Sequence, residues 1–143
     1  MQIIRAANAS DISQIQSLLA ENRLPIQLTS LDGFCVATDE VGLIGVAGVD
    51  VCGNYALLRS VVAVPRVRGT GLGKQLVDNR EDWAREQGLA SLYLLTTTAE
   101  TFFSRLGYAV FPREKAPKPI RDTEEFRDLC PASATFMAKS LKP

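Results

Sequence analysis

The segment Val64–Val77, VPRVRGTGLGKQLV, decides how the rest of the chain is interpreted. It places three glycines and three basic residues between an apolar run and an amphipathic helical pattern. Glycine lets successive backbone N–H groups turn toward one point, and the first N–H groups of a helix lack intrahelical partners. Arginine and lysine beside them add charge-assisted hydrogen bonds. The segment therefore predicts a cradle for a phosphate or pyrophosphate group.

Two common phosphate-binding motifs do not fit this spacing. The stretch GTGLGK from Gly69 to Lys74 is followed by Gln75, whereas a P-loop requires GxxxxGK[ST]. Its third glycine comes one place too early for the dinucleotide motif GxGxxG, and several strands precede it. The remaining alternative is a plain tight turn, but such a turn does not require three alternate glycines and two arginines.

The composition narrows the class of protein. The 143 residues are 46% hydrophobic, which predicts a single globular domain over residues 1–143. Basic and acidic residues number 16 each, so the net charge disfavours a nucleic-acid partner. No apolar run approaches the roughly 18 residues of a membrane span. Three widely spaced cysteines without a CxxC pair fit a reducing cytoplasm better than a disulfide framework.

The chain contains no histidine. This excludes Ser-His-Asp and Cys-His hydrolases and most catalytic zinc sites, and no metal is predicted. Any chemistry must therefore use carboxylates, hydroxyls, backbone groups or a reagent that is already activated.

The apolar pattern predicts a mixed α/β (α+β) domain with a partly antiparallel sheet. Strands are predicted over residues 2–7, 34–39, 43–51, 55–64, 90–98, 108–111 and 133–141. Helices are predicted from a cap at Ser10 to before Pro25, over 71–87, over 99–108, and from Asp122 or Thr123 to Leu129. A proline-rich loop separates the last strand from the rest of the sheet.

The motif Arg66–Gly71 matches [QR]-x-x-G-x-[GA], the signature of the GNAT superfamily of acetyl-CoA-dependent N-acetyltransferases. VVAVPRVRGTGLGKQLV resembles their fourth strand, pyrophosphate loop and following helix. LYLLTTTAETFFSRLGY resembles their fifth strand and the helix that ends in a Gly-aromatic pair. The resemblance implies a GNAT-like, mostly antiparallel mixed sheet, splayed between strands four and five and flanked by helices. ALLRSVVAVP, YLLTTTAETFF and TEEFRDLCPASATFMAKSL further resemble small bacterial members associated with arsenic-resistance gene clusters.

The resemblance implies acetyl-CoA as the co-substrate, an activated acyl donor that makes histidine unnecessary. Its pantetheine arm would lie between strands four and five, and a backbone N–H near Val62 would support the oxyanion. The cofactor-binding residues implied are Val62, Ala63, Val64, Arg66, Arg68, Gly69, Thr70, Gly71, Leu72, Gly73, Lys74 and Phe103.

The acid and base of many relatives are missing from this chain. Phe102–Phe103 stands where those relatives have a Phe-Tyr pair, and the strand YALLRSVVAV contains no glutamate. Catalysis is therefore expected to rely on positioning, with Ser60, Thr96 or Thr97 and water relaying protons beside the Val62 N–H. Strand propensity alone also explains the threonines. The alternative function is a non-catalytic module that binds or senses acyl-CoA.

Arg59 interrupts an apolar strand, where a buried arginine requires a partner. Two interpretations are open. Arg59 either binds the carboxylate or other anion of the acceptor, or pairs with a local acid such as Asp50 or Glu100.

Arg113 and Arg121 bracket the proline-rich loop and either reach the acceptor or are solvated. With Lys115 and Lys118 they make a basic rim that suits a small anionic amine. An amino acid, or a toxic amino-acid-like compound such as an organoarsenical, is the acceptor that the resemblance implies. Cys130 is predicted to be a small buried apolar residue rather than an arsenic ligand. No nucleic-acid or membrane partner is expected, and the apolar C-terminal strand is compatible with a homodimer.

Overall fold

The computed structural model describes residues 1–28, 30–129 and 132–142, so Cys130 lies outside the described residues. The strands are Ile3–Ala6 (β1), Phe34–Thr38 (β2), Leu43–Cys52 (β3), Tyr55–Ala63 (β4), Ser91–Thr96 (β5), Ala109–Val110 (β6) and Thr135–Ser140 (β7). The helices are Ile12–Glu21 (α1), Leu72–Glu86 (α2), Glu100–Arg105 (α3) and Lys118–Arg121 (α4). A π-helical turn spans Glu125–Leu129.

The strands form one mixed sheet in the order β1-β2-β3-β4-β5-β7-β6. β4 and β5 pair in parallel at Leu57 and Tyr93. The pairs β1–β2, β2–β3, β5–β7 and β6–β7 are antiparallel. The predicted fold class, a mostly antiparallel mixed sheet flanked by helices, is confirmed.

The chain divides into two compact units. The first comprises Met1–Asp50 and Leu58–Trp83, and the second comprises Val51–Leu57 and the chain from Ala84 on. Both β4 and α2 therefore contribute residues to each unit. The prediction of a single domain over residues 1–143 stays a prediction.

In the first unit, α1 packs against one face of the strands and α2 against the other face. Side chains alternate in direction along a strand, so consecutive residues of β2 belong to two separate apolar clusters. The α1 cluster holds Ile15, Leu18, Leu19, Phe34, Val36, Val46 and Val62. The α2 cluster holds Cys35, Ala37, Ile44, Ala47, Val67, Leu72 and Leu76. The unit thus has a three-layer core with the strands in the middle.

The second unit has an aromatic core. The rings of Tyr93 and Phe136 stack with centroids 5.5 Å apart. Phe111 and Phe126 meet Phe136 edge to face at 5.9 and 5.4 Å. Ile120 of α4 is fully buried in the same cluster, so the segment after β6 closes this core.

Three details of the predicted helices and loops are wrong. Ser10 does not cap α1, because the side chain of Asn8 accepts from the Ser10 N–H and the Asp11 carboxylate accepts from the Asn8 N–H. The proline-rich loop contains the short helix α4, where Pro119 occupies a first-turn position that tolerates a missing N–H. The predicted helix that ends at Leu129 is only a π-helical turn.

Candidate active site

The segment after β4 has the backbone conformation that its glycines predict. Pro65–Val67 forms a single 3₁₀ turn, and Gly69 and Gly71 follow with φ angles of 83° and 89°. A Cβ added at either glycine would meet nothing within 4 Å. The left-handed backbone, rather than lack of space, therefore requires glycine at both positions.

Backbone donors collect where this segment enters α2. The N–H of Gln75 donates to the carbonyl of Gly71 at 3.1 Å, so the N–H groups of Leu72, Gly73 and Lys74 precede the helical ladder. The Thr70 hydroxyl donates to a main-chain carbonyl at 2.6 Å and holds the turn. Backbone N–H donors at the positive end of a helix fit an anion such as a pyrophosphate.

Arg66 pairs with a carboxylate of the turn between β2 and β3. Its two terminal nitrogens donate to Asp39 at 2.9 and 3.0 Å. The Arg66 guanidinium holds the pKa of Asp39 well below its ordinary value, with help from the N–H groups of Val41 and Gly42. Arg66 is thus anchored at the rim of the glycine segment.

The other two cations of the segment also have protein acceptors. Arg68 donates through Nε to the carbonyl of Ala63 at 3.1 Å and through Nη2 to Asn22 Oδ1 at 3.0 Å. Lys74 lies 2.7 Å from Asp78, one helical turn later, and this hydrogen bond raises the lysine pKa. All three cations of the predicted CoA-binding set therefore lie around the glycine segment in the first unit.

Arg59 is buried in an ion pair. Its Nη1 lies 3.1 Å from Asp50 Oδ2, and the two side chains are only 7% and 9% exposed. Its Nε donates to Ser60 Oγ at 3.1 Å, its Nη2 to the carbonyl of Pro25 at 3.3 Å, and its guanidinium lies over the Phe34 ring at 5.8 Å. The structure contains the ion pair with Asp50, and binding of an acceptor anion by Arg59 stays a prediction.

The backbone of β4 changes course at Ser60. Its φ angle is 60°, a left-handed conformation that residues with a side chain rarely adopt in a strand. Arg59 and Val62 both lie on the Phe34 face, whereas Val61 packs in the α2 cluster. Regular alternation would put residues 59 and 61 on one face, so an extra residue interrupts the strand. This is a β-bulge directly before Val62.

The other residues predicted to act in catalysis or to bind the cofactor, Thr96, Thr97 and Phe103, lie in the second unit. Thr96 Oγ1 accepts from the Ala99 N–H at 3.0 Å, at the start of α3, and Thr97 is exposed. Phe103 is buried, and its ring meets that of Tyr108 edge to face at 5.7 Å. Thr96 and Phe103 thus have local structural contacts, and their catalytic and cofactor roles remain predictions.

The two arginines of the proline-rich segment differ. Arg113 donates to the carbonyl of Ala134 at 2.7 Å and lies over the Phe126 ring at 5.3 Å. Arg121 is exposed at the end of α4. Arg113 therefore ties the loop to the start of β7, and a role for either arginine in acceptor binding is untested.

Sequence reasoning missed Asp39 and Asn22, which contact the predicted CoA-binding arginines. The stretch TDEVG around Asp39 contained a usable signal, because an aspartate before a glycine turn commonly accepts backbone N–H groups. Asn22 gave no such signal, since it comes from the end of a helix far from Arg68 in sequence.

A cavity of about 670 Å³ lies in the first unit, next to Val64–Arg66 at the start of the glycine segment. α1, the β2–β3 turn, Val64 and Arg66 contribute to its lining. Within residues 1–28, 30–129 and 132–142, no group of three or more metal-ligating side chains occurs. Over the same described ranges, no helix is long and apolar enough to span a bilayer.

Several known proteins resemble this chain. The family profile described as the acetyltransferase (GNAT) domain matches residues 30–110. An uncharacterized N-acetyltransferase of Chlorobaculum tepidum is 27% identical over 123 residues, which make up 81% of this chain and 79% of that protein.

Solved structures share the fold at low sequence identity. N-acetylglutamate synthase of Neisseria gonorrhoeae, solved with coenzyme A and N-acetylglutamate, is 19% identical with a TM-score of 0.85, and the match covers 100% of this chain and 36% of the synthase. This chain thus spans about a third of that protein's length. Rv2747 of Mycobacterium tuberculosis, solved with CoA and a second ligand, is 22% identical with a TM-score of 0.83 over 98% of this chain and 99% of its own.

The family profile covers more than half of the 143 residues, and it includes the glycine segment and the strands β2, β3 and β4 that precede it. The chain therefore belongs to the GNAT family of acetyltransferases, and the predicted enzyme class, an acyl-CoA N-acyltransferase, is confirmed.

Proposed function

We propose that this enzyme transfers the acetyl group of acetyl-CoA to the primary amine of a small acceptor that carries a carboxylate, with an amino acid as the first candidate. The observation that carries the proposal is the left-handed Gly69–Gly71 backbone that leads into the N-terminus of α2. Its N–H donors, with Arg66, Arg68 and Lys74 around them, complement the charge of a pyrophosphate.

The reaction requires little from ionisable side chains. The acceptor nitrogen attacks the acetyl carbonyl, the thioester C–S bond breaks, and a proton lost by the nitrogen is taken up by the departing CoA thiolate. We propose the Val62 N–H as donor to the carbonyl oxygen, and the hydroxyl of Thr96 or Thr97 as a proton relay through water. Phe103 stands where many relatives have the tyrosine that acts as acid, and strand four contains no glutamate to act as base. Their absence at these two places agrees with catalysis by positioning.

Two observations support an anionic acceptor. Arg113 and Arg121 add positive charge in the proline-rich segment. The Neisseria synthase, which shares the fold, was solved with an acetylated amino acid. The resemblance to members linked to arsenic resistance adds an amino-acid-like organoarsenical as a candidate acceptor.

The test is release of free CoA thiol from acetyl-CoA with a panel of amino acids, one such organoarsenical, and the matched amino-acid amides. We expect turnover with at least one carboxylate acceptor and a kcat/KM at least about tenfold lower for its amide. Equal kcat/KM values for acid and amide would overturn the anionic acceptor. Tight CoA binding with no thiol release from any acceptor would favour the alternative, a non-catalytic acyl-CoA-binding module.

The resemblance also leads us to propose a cytoplasmic homodimer. Sedimentation velocity of the full chain tests the dimer, and a monomer at micromolar concentration would overturn it. Cell fractionation tests the location.

A further inference from the structure

The cluster of Arg59, Asp50 and Ser60 lies at the β4 bulge. We propose that Arg59 is a positioning residue that holds Ser60 in its left-handed conformation, and that Asp50 fixes the arginine in turn. The bulge then presents the backbone N–H near Val62 to the acetyl carbonyl. This inference rests on the proposed use of acetyl-CoA and not on which amine accepts the acetyl group.

Ser60 requires an interaction that holds it. A serine with φ of 60° places its Cβ close to its own carbonyl group, and such a residue relaxes toward an extended strand unless its surroundings prevent this. Its side chain is buried, and its Oγ accepts from Arg59 Nε at 3.1 Å. The contact joins adjacent residues of the strand, so it restrains the backbone at the bulge itself.

Arg59 is itself held on several sides. Asp50 on β3 accepts from Nη1, the carbonyl of Pro25 accepts from Nη2, and the Phe34 ring lies under the guanidinium plane. All of these groups belong to the first unit. A planar guanidinium with contacts at Nε and both terminal nitrogens cannot rotate without losing one of them. It therefore acts as a rigid support for Ser60.

The bulge has a consequence for catalysis. An extra residue in a strand leaves a backbone group outside the regular ladder and shifts every later residue to the opposite face. Val62 follows directly and lies on the Phe34 face because of this shift. Loss of the bulge would restore regular pairing and turn the N–H near Val62 back into the sheet, so the rate of the chemical step would fall.

The first experiment compares Ser60→Ala with Ser60→Gly. Alanine loses the hydrogen bond to Arg59 and disfavours the left-handed backbone, whereas glycine adopts it unaided. We expect Ser60→Ala to lower kcat at least about tenfold and Ser60→Gly to keep a kcat at least threefold above that of Ser60→Ala. The KM for acetyl-CoA stays the same in both. An equal loss of kcat in both variants would assign Ser60 a proton relay instead and overturn the proposal.

The second experiment tests Arg59 itself. Arg59→Met should lower kcat without raising the acceptor KM, and adding Ser60→Gly should recover at least threefold in kcat. Arg59→Lys keeps the charge but not the Nε donor, so it should not restore the rate. A raised acceptor KM with no recovery by Ser60→Gly would identify Arg59 as an acceptor-binding residue and contradict the positioning role.

Rates are measured with the best acceptor of the panel, or as hydrolysis of acetyl-CoA if no amine reacts. Crystal structures of Ser60→Ala and Arg59→Met provide a readout that does not depend on turnover. A negative φ at residue 60 in these variants supports the proposal, and a φ that stays near 60° overturns it. Failure of the wild-type chain to bind acetyl-CoA would instead refute the proposed function, so the two failures are distinguishable.

Discussion

Two requirements meet at Gly71: the backbone must adopt a left-handed conformation, and the segment must leave room for an anion. We predict that Gly71→Glu weakens CoA binding by at least a factor of about 100, because the new carboxylate repels the pyrophosphate. Gly88→Glu is the matched control, since Gly88 also has a positive φ and open space around an added Cβ. Both variants should lose about 1–2 kcal/mol of unfolding free energy from backbone strain.

Isothermal titration with CoA and urea unfolding measure these two effects separately. Unchanged CoA affinity in Gly71→Glu would refute the proposal that the glycine segment binds the pyrophosphate, whatever the effect of the substitution on stability. A parallel loss of affinity in Gly88→Glu would show that general destabilisation causes both.

At the scale of single elements, Asp11 stabilises the start of α1. Its carboxylate accepts from two nitrogens of Arg5 at 2.8 and 3.0 Å and from the Asn8 N–H at 2.8 Å. The hydrogen bonds from Arg5, and then that from Asn8, lower the pKa of Asp11. We predict that Asp11→Asn lowers the free energy of unfolding by about 1 kcal/mol at neutral pH.

The sign of the pH dependence follows from the lowered pKa. The stabilisation by Asp11 is complete above the unfolded-state pKa of about 3.9 and is lost as the pH falls through the lower folded-state value. The difference between wild type and Asp11→Asn, measured by urea unfolding, should therefore shrink from about pH 7 to about pH 3. Asp32→Asn, at an exposed aspartate, is the control and should show little effect at either pH.

A second element-scale prediction concerns the core of the second unit. Phe136 on β7 contacts three other rings and is 2% exposed, so Phe136→Ala should lower the free energy of unfolding by about 3–5 kcal/mol. Val110→Ala on β6, where the side chain is 62% exposed, should change it by less than about 0.5 kcal/mol. Comparable losses in the two variants, measured by thermal or urea unfolding, would contradict the central role of Phe136.

Elements were predictable from sequence where the apolar pattern was long. β3 and β4 are long apolar runs and α2 is a long amphipathic pattern, and their predicted bounds lie within one residue of those in the structure. The capping by Asn8 and the helix α4 were missed, because each depends on side-chain contacts or proline geometry that periodicity does not register. The placement of β7 between β5 and β6 is a long-range pairing that no local pattern encodes.

For the whole molecule, equal numbers of acidic and basic residues mean that attraction of CoA depends on a few local cations. We predict that raising salt from about 50 mM to about 500 mM weakens CoA binding several-fold, because screening shortens the reach of these charges. Lys74→Ala should raise the Kd and flatten this salt dependence. A salt-independent Kd in the wild type would argue against CoA binding through these cations.

Lys118→Ala is the matched control for this prediction. Lys118 is exposed and bonds Asp122 one turn later at 2.7 Å, just as Lys74 bonds Asp78. Its removal should leave the Kd and the salt dependence of CoA binding unchanged. A similar effect of both variants would attribute the salt dependence to overall charge.

The partner of Arg59 depends on the tertiary structure and could not be inferred from the sequence alone. The position of Arg59 in an apolar strand predicts a partner, and Asp50 and Glu100 are both candidate acids by sequence. The choice between them depends on the hairpin β3–β4, which brings Asp50 beside Arg59, while Glu100 belongs to the other unit. The bulge at Ser60 had no sequence signal, since serine is not a residue expected at positive φ.

The left-handed Ser60 has a consequence for protein engineering. A stability-guided redesign would replace it with glycine, because glycine relieves the backbone strain by about 1 kcal/mol. Glycine would also remove the hydrogen bond that couples residue 60 to Arg59, so only its own backbone preference would then hold the bulge. A screen that ranks variants by melting temperature alone would therefore select a chain in which the rate of acyl transfer no longer depends on Arg59 and Asp50.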